Sequence, residues 1–252
     1  MTKRPGFPAR LHTSPAQPAR RAAAGAVPPA RPAAPAGIGL DSQAVRARMV
    51  QKLAAQGVTD ARVLAAMNSV DRHRFVDSAL VNQAYEDTSL PIGLGQTISK
   101  PSVVARMIEL LLAGRTGRLG RVLEVGTGCG YQAAVLSHVA SEVYSIERLR
   151  GLHDKARENL RTFRLANVHL LFGDGMQGFA KGAPYAGIIA AAGGEALPAQ
   201  WTDQLAEGGR IVAPTVMATG QQALVVVEKG GGRLTQTILE AVHFVPLKSG
   251  VA

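Results

Sequence analysis

The residues best suited to chemistry are three alternating glycines and the acidic residues near them. Residues 122–130 read Val-Leu-Glu-Val-Gly-Thr-Gly-Cys-Gly, and the apolar start predicts a buried parallel strand. Gly126, Gly128 and Gly130 then allow a sharp turn and a close approach of the backbone to a ligand. The apolar spacing becomes helical from Tyr131 onward. A strand, a glycine loop and a helix start together predict a cradle for a nucleotide-type ligand.

Two carboxylates are predicted to lie at the same edge of the sheet as this loop. Glu147 lies 21 residues after Gly126, where a carboxylate can accept hydrogen bonds from both hydroxyls of a ribose. Asp174 comes after the third predicted strand, and it could accept a hydrogen bond from an adenine amino group. The alternative is a tight strand-to-helix turn in another kind of doubly wound protein.

The pattern Glu-x-Gly-x-Gly-x-Gly, from Glu124 to Gly130, resembles motif I of the class I S-adenosylmethionine methyltransferases. It differs from the dinucleotide fingerprint Gly-x-Gly-x-x-Gly. A methionine-linked nucleoside carries no pyrophosphate, so such a loop needs closeness more than anion donors. The resemblance implies S-adenosyl-L-methionine as the cofactor. The residues predicted to bind it are Glu124, Gly126, Thr127, Gly128, Gly130, Glu147, Asp174 and Gly175.

Strands and helices alternate after the glycine motif, which predicts a parallel sheet covered on both faces. The predicted strands are 121–125, 142–146, 168–172, 185–191 and 209–214, and the predicted helices are 131–139, 150–165 and 198–206. A glycine turn between residues 222–228 and 234–245 predicts an antiparallel hairpin. The predicted fold class is therefore α/β, with a doubly wound, mostly parallel Rossmann-like sheet, an antiparallel C-terminal hairpin and an N-terminal helical cap.

The cap is predicted from start and stop signals. Asp41 is a candidate N-cap for a helix to about residue 56, and Asp60 starts a second helix. Residues 85–101 are interpreted as an ordered loop, and Pro101 opens a helix that reaches Leu112. Together with the resemblance to motif I, these signals lead us to expect a methyltransferase domain over residues 38–252. Its helices and substrate loop occupy 38–115, and its cofactor-binding sheet occupies 116–252.

The N-terminal tail, residues 1–37, has a composition of its own. It contains six Lys or Arg residues, no acidic residue and eight of the 14 prolines, which predicts a disordered basic segment. The whole chain carries a net charge of +10, so the other 215 residues carry +4. We expect a solvated extension with no specific nucleic-acid partner. An organellar transit peptide is the alternative.

Several classes of site and location are disfavoured by composition. No apolar run reaches the roughly 18 residues of a membrane span, so no membrane partner is expected. The single cysteine, Cys129, excludes a disulfide framework within the chain and a cysteine metal cluster, which fits a reducing cytoplasm. The six histidines show no ligand spacing, so no metal site is expected.

The residues after the fourth predicted strand and the position of the one cysteine limit which class of molecule can accept the methyl group. Residues 190–195 read Ala-Ala-Ala-Gly-Gly-Glu, where nucleic-acid amino-methyltransferases of this class carry Asn/Asp-Pro-Pro-aromatic. Cys129 lies inside the predicted cofactor loop and cannot serve as the nucleophile of a cytosine-C5 enzyme. A radical mechanism would need iron–sulfur cysteines that one cysteine cannot supply.

The segment Pro-Ile-Gly-Leu-Gly-Gln-Thr-Ile-Ser-Lys-Pro, residues 91–101, closely resembles the signature of the protein-L-isoaspartate O-methyltransferases. The resemblance covers residues 41–250. Its other motifs are His-Arg-Phe-Val at 73–76, Tyr-Glu-Asp-Thr at 85–88, residues 123–131, Gly-Asp-Gly at 173–175, Gln-Leu-Ala-Glu-Gly-Gly at 204–209 and Phe-Val-Pro-Leu at 244–247.

This resemblance implies methyl transfer to the α-carboxylate of L-isoaspartyl residues in damaged proteins and peptides. The methyl ester then collapses without the enzyme to a succinimide, which hydrolyses partly to aspartate. The resemblance assigns Ser99 to the reacting site, with Thr97 and Ile98 beside it as substrate-binding residues. We expect a cytoplasmic, monomeric repair enzyme. The alternatives are a methyltransferase of another carboxylate or small metabolite, and a cofactor-binding protein with impaired turnover.

Two positions depart from the family pattern. Ala186 stands two residues after Pro184, where the family has Asp, and Ala191 stands where many bacterial members have Thr. If that Asp anchors the fourth strand, its loss would disturb stability or loop geometry. Because Ser99, Glu147 and Asp174 are present, we expect activity to be kept.

Overall fold

The structure, a computed structural model, describes residues 43–252. The tail at 1–37, the start of the proposed domain at residue 38 and the predicted N-cap Asp41 lie outside this part of the chain. The helices are α1 (Gln43–Ala55), α2 (Ala61–Ser69), α3 (Pro101–Leu112), α4 (Tyr131–Leu136), α5 (Arg150–Arg161) and α6 (Ala199–Gln204). Short 3-10 helices occupy Arg72–Phe75, Ser78–Gln83, Gly175–Gln177 and Ala180–Gly182. The strands are β1 (Leu90–Gly93), β2 (Gln96–Ile98), β3 (Leu119–Val125), β4 (Ala140–Glu147), β5 (Val168–Phe172), β6 (Tyr185–Ala190), β7 (Leu205–Val216), β8 (Gln222–Gly230) and β9 (Arg233–Val242).

Seven strands form the central sheet in the order β5-β4-β3-β6-β7-β8-β9. The strands from β5 to β7 are parallel to their neighbours, and β7, β8 and β9 pair antiparallel. The chain moves outward from β3 through β4 to β5 and then returns to β6 on the other side of β3. The order therefore reverses at the carboxyl end of β3, where ligands bind in open α/β sheets. The predicted fold class, including the antiparallel C-terminal hairpin, is confirmed.

Alternation along the strands places two apolar layers on opposite faces of the sheet. Val122 belongs to the layer that α1 to α5 cover, and Leu123 belongs to the layer that contains Trp201 of α6. Arg62 donates its N–H to the carboxylate of Asp60, which caps α2 as predicted. Pro101 opens α3 and Leu112 ends it, also as predicted. The three N-terminal helices thus form the predicted cap.

Several predicted boundaries are wrong, and the neighbouring structure explains three of them. Helix α4 ends at Leu136 rather than 139, because β4 begins at residue 140 in register with Leu119. Helix α5 ends at residue 161 rather than 165, since Arg164 takes a φ of +50° in the turn toward β5. Strand β7 starts at Leu205 rather than 209, where it pairs with Tyr185. The predicted loop 85–101 contains the antiparallel hairpin β1–β2.

Candidate functional site

The glycine loop after β3 is held by the carboxylate at the end of β4. Gly126 and Gly128 take φ values of +89° and +57°, a region that favours glycine. The Gly128 N–H donates to Glu147 Oε2 at 2.9 Å, and the Leu149 N–H donates to Oε1 at 2.9 Å. Because each carboxylate oxygen has a second lone pair, Glu147 can accept two further hydrogen bonds while it holds the loop.

A cavity of 310 Å³ lies at this end of the sheet. Its volume is at the lower end of the range for small-molecule pockets, about 300–1,000 Å³. Four of the predicted cofactor residues line it, namely Gly126, Gly128, Glu147 and Gly175. Gly128 has no side chain, and a Cβ there would lie only 3.2 Å from Ile92 Cδ1, in the lining of the cavity. Without that atom, the loop backbone is open to a ligand. A backbone that a ligand can approach closely and a carboxylate with unused lone pairs suit a nucleoside. We call this cavity the cofactor cavity.

The other four predicted cofactor residues lie outside the lining of this cavity, and three of them, Glu124, Thr127 and Gly130, lie behind the glycine loop. Glu124 is fully buried and accepts a hydrogen bond from the Ser145 hydroxyl. Ser145 in turn shares a 2.6 Å hydrogen bond with the hydroxyl of Thr127. Gly130 packs against α5, because a Cβ there would lie 3.0 Å from Leu160 Cδ1. These residues support the loop from behind and do not face the cavity.

The Glu124 carboxyl has a strongly perturbed pKa. Burial raises its pKa to about 8, while the hydrogen bond from Ser145 and the nearby Gln132 side chain lower it and the charge of Glu147 raises it further. Its second oxygen, Oε1, has no hydrogen-bond partner in the described part of the chain. At neutral pH this carboxyl is therefore mostly protonated.

Asp174 is bound by the backbone on two sides. Its Oδ1 accepts the Met176 N–H at 2.9 Å, and its Oδ2 accepts the Gly250 N–H at 2.8 Å. Asp174 itself is absent from the cavity lining, whereas its neighbour Gly175 is part of it. The C-terminal segment, residues 245–252, is thus tied to a predicted adenine-binding residue. Arg148 holds the same segment, because its Nε donates to Gly250 O at 3.0 Å.

Residues 245–248 of that segment line the cofactor cavity, and so do Ile92 and Leu94 of the β1–β2 hairpin. Lys155 of α5 holds the hairpin in place, because its Nζ donates to Ile92 O at 2.8 Å. Sequence reasoning assigned none of these residues to the cofactor. The Phe-Val-Pro-Leu motif at 244–247 was the one signal for the C-terminal segment, although a motif alone does not say what it faces.

A second cavity, of 1340 Å³, lies beside the first and is lined by Ser99 and Thr97. Strands β7 to β9 contribute its other wall, including Val216, Leu224 and Glu240. Of the three predicted substrate residues, Ile98 alone is buried and does not line this cavity. We call it the substrate cavity.

Thr97, Ala191 and Val245 line both cavities and therefore mark the junction between them. Ala191 comes directly after β6, and its N–H donates to Val125 O at 2.8 Å. Its Cβ lies 3.5 Å from the position of a Cβ at Gly126. The arrangement can hold a group donor in one cavity and an acceptor in the other, with the transfer passing this junction.

Ser99 is fixed from its backbone. The buried guanidinium of Arg72 donates from Nη2 to Ser99 O at 2.8 Å.

Cys129 is 2% exposed, and burial raises the pKa of its thiol to about 11, so the sulfur stays protonated at neutral pH. A cysteine nucleophile at this position is thereby disfavoured, as predicted.

The departure at Ala186 lies away from the site. It is the second residue of β6, whereas both cavities lie beyond the carboxyl ends of the strands. The strand is still anchored there, because the buried Tyr185 hydroxyl donates to Phe179 O at 2.6 Å.

In residues 43–252 no cluster of three or more His, Cys, Asp or Glu side chains could hold a metal ion. No helix in the same part of the chain has the length and apolar character needed to span a membrane.

Comparison with protein families gives one match over nearly the whole described chain. Residues 44–252 match the model of the family described as protein-L-isoaspartate(D-aspartate) O-methyltransferase. A protein-L-isoaspartate O-methyltransferase of Methylibium petroleiphilum is 64% identical over 219 residues, which is 86% of this chain and 81% of that protein. One of Leptothrix cholodnii is 61% identical over 226 residues, covering 88% and 80% of the two chains.

Two solved structures share the fold. A protein-L-isoaspartate O-methyltransferase superposes with a TM-score of 0.74 at 28% identity, covering 82% of this chain and 67% of the other. A putative protein-L-isoaspartate O-methyltransferase of Plasmodium falciparum, in complex with S-adenosyl-L-homocysteine, gives a TM-score of 0.69 at 24% identity. It covers 81% of this chain and 98% of the other.

Proposed function

The chain belongs to the protein-L-isoaspartate(D-aspartate) O-methyltransferase family, and from this premise we propose how its two cavities divide the reaction. The protein transfers a methyl group from S-adenosylmethionine to isoaspartyl residues of damaged proteins. The cofactor occupies the smaller cavity and the isoaspartyl segment occupies the larger one. The observation that carries this division is the junction at Thr97 and Ala191, which belong to both cavities.

Glu147 and the glycine loop hold the cofactor in this proposal. The remaining lone pairs of Glu147 accept the ribose hydroxyls, and the backbone at Gly126 and Gly128 lies against the nucleoside. Asp174 and Gly175 lie at the adenine end, although the Asp174 carboxylate already accepts two backbone N–H groups. Glu124, Thr127 and Gly130 act behind the loop and keep its shape, which revises their predicted role from contact to support.

The chain's own residues have little proton chemistry to perform. When bound, the cofactor supplies an electrophilic methyl group on a sulfonium. An isoaspartyl carboxylate is ionised at neutral pH, so no general base is needed. Ser99 donates a hydrogen bond that orients the carboxylate, and Thr97 lines the junction where the carboxylate meets the methyl group. Positioning in a site that excludes water then supplies most of the acceleration.

The proposal also covers the bounds of the catalytic unit, its partners and its location in the cell. We place the catalytic unit in residues 38–252, supported by a family match that begins at residue 44. The basic tail takes no specific nucleic-acid partner, and the enzyme acts as a monomer in the cytoplasm without a membrane partner. Deleting residues 1–37 should leave methyl transfer unchanged and abolish any salt-sensitive nucleic-acid binding.

A pair of peptides tests the proposed use of the substrate cavity. Their sequences are identical except that one contains L-isoaspartate and the other contains L-aspartate at the same position. Transfer of labelled methyl should occur to the first alone, and Thr97→Val and Ser99→Ala should raise KM or lower kcat for it. Variants that leave both constants unchanged would place the acceptor elsewhere.

A further inference from the structure

Arg72 is a fully buried cation on the 3-10 helix that precedes the substrate loop. It forms no ion pair with a carboxylate of the described residues, since its hydrogen bonds all go to carbonyl oxygens. Burial lowers the pKa of its guanidinium from the usual value. Its Nη1 has no hydrogen-bond partner in residues 43–252. Such a group is costly to bury, so its presence requires a physical reason.

The carbonyls that Arg72 binds belong to the two ends of one segment. Its Nε donates to Ala84 O at 2.8 Å, and its Nη2 donates to Ser99 O at 2.8 Å, with Thr88 O farther away at 3.5 Å. The segment between Ala84 and Ser99 contains the whole β1–β2 hairpin. One rigid guanidinium therefore sets the separation of the hairpin's two ends and the path of the backbone at Ser99.

The same guanidinium contacts the cofactor loop from the other side. Its Cζ lies 4.7 Å from the ring centroid of Tyr131, within the range of a cation–π contact. Tyr131 is the first residue of α4 and comes directly after Gly130. It is itself 1% exposed and packs edge-on against Phe75, so its ring has a fixed position. Arg72 thus joins the backbone of Ser99 to the end of the glycine loop.

We propose that Arg72 is a positioning residue that fixes Ser99 relative to the cofactor loop, so that the acceptor carboxylate is aimed at the transferred methyl group. The inference rests on the proposed role of Ser99. The planar guanidinium of arginine suits this task better than the ammonium of lysine. Its N–H donors keep fixed directions, whereas an ammonium on a flexible side chain does not. An apolar side chain of similar volume would fill the space but bind no carbonyl.

The test compares Arg72→Lys and Arg72→Met with the wild-type protein. We expect kcat for an isoaspartyl peptide to fall about 10- to 100-fold, because small misplacements of a reacting group have effects of this size. The Kd of S-adenosylhomocysteine, measured by calorimetry, should stay within a few-fold, since neither Glu147 nor Gly128 contacts Arg72. Rates are divided by the concentration of cofactor-binding protein, so that partial unfolding does not lower them.

Arg62→Met is the matched control. Arg62 also binds backbone carbonyls, donating from Nη1 to Arg115 O at 2.9 Å and to Gly117 O at 2.8 Å, but it lines neither cavity. This variant should lower the melting temperature and leave kcat per folded molecule unchanged. A wild-type kcat in Arg72→Lys, or failure of both Arg72 variants to fold, would overturn the proposal and leave a structural role.

A double-mutant cycle separates the inference from the proposed function. If Arg72 acts through Ser99, Arg72→Lys should change kcat little in a Ser99→Ala background, because the group that it positions is already gone. Fully additive losses would overturn the inference alone. Normal turnover by Ser99→Ala, in contrast, would overturn the proposed role of Ser99 and with it this inference.

Discussion

Replacing Glu147 by Gln should weaken cofactor binding while keeping the volume of the side chain. The carboxylate accepts the Gly128 and Leu149 N–H groups, one on each oxygen, and is 4% exposed. An amide can accept only one of these bonds and turns its NH₂ toward the other N–H. It also loses the charge that strengthens the bonds from ribose hydroxyls.

The magnitude is set by the strength of hydrogen bonds to charged groups, about 1.5–3 kcal/mol each. One such loss corresponds to roughly 10- to 100-fold in affinity, since 1.4 kcal/mol is tenfold. Calorimetric titration of S-adenosylhomocysteine into wild-type and Glu147→Gln protein measures this change. The Glu147→Ala variant should lose at least as much, because both backbone N–H groups are then left without their acceptor.

A cofactor analogue without the ribose 2′-hydroxyl separates contact from loop support. If Glu147 binds that hydroxyl, the wild-type protein should lose affinity for the analogue, whereas Glu147→Gln should distinguish the two ligands little. Equal affinity of the wild type and Glu147→Gln for S-adenosylhomocysteine would refute the reasoning. A loss that is the same for both ligands would show that Glu147 acts only by holding the loop.

Three further results are expected. Ala191→Leu, whose side chain is larger than the Thr that many bacterial members of the family carry, should narrow the junction and lower kcat about 10- to 100-fold in steady-state assays. Cofactor affinity should stay within a few-fold, and unchanged turnover would place the transfer path elsewhere. Gly250→Pro removes the N–H that binds Asp174, and proline cannot adopt the φ of +74° that Gly250 has. S-adenosylhomocysteine should therefore dissociate faster from this variant in stopped-flow experiments. An unchanged dissociation rate would show that the C-terminal segment does not restrict exit of the cofactor. Glu124 has a pKa of about 8 in the folded protein against an ordinary value of 4.5, so the free energy of unfolding should fall as pH rises between these values. In urea unfolding, Glu124→Gln should remove this pH dependence. A pH dependence unchanged from the wild type would assign it to another group.

The parts of the fold that sequence could predict are those set by local rules. The stretch 122–125 forms a strand because Val122, Leu123 and Val125 are apolar and Gly126 follows, and α3 begins at Pro101 because proline suits a first turn. The β1–β2 hairpin escaped prediction because its strands have four and three residues, too few for a periodic pattern.

The candidate site was predictable in outline but not in its contacts. Alternating glycines indicated the loop, but they could not show that Gly130 faces Leu160 while Gly128 faces the cavity. Arg72 gave no signal, because an arginine is expected at the surface and its burial depends on carbonyls up to 27 residues away. The contact between Asp174 and Gly250 spans 76 residues and could not be read from either local sequence.

The most direct test of the account is transfer of labelled methyl to an isoaspartyl peptide by the wild type and by Ser99→Ala. The wild type should methylate the isoaspartyl peptide and should not methylate its aspartyl counterpart. Ser99→Ala should bind S-adenosylhomocysteine normally and transfer about 100-fold more slowly, because the carboxylate loses the bond that aims it. Wild-type protein that binds the cofactor but methylates neither peptide, or Ser99→Ala with full activity, would contradict the account.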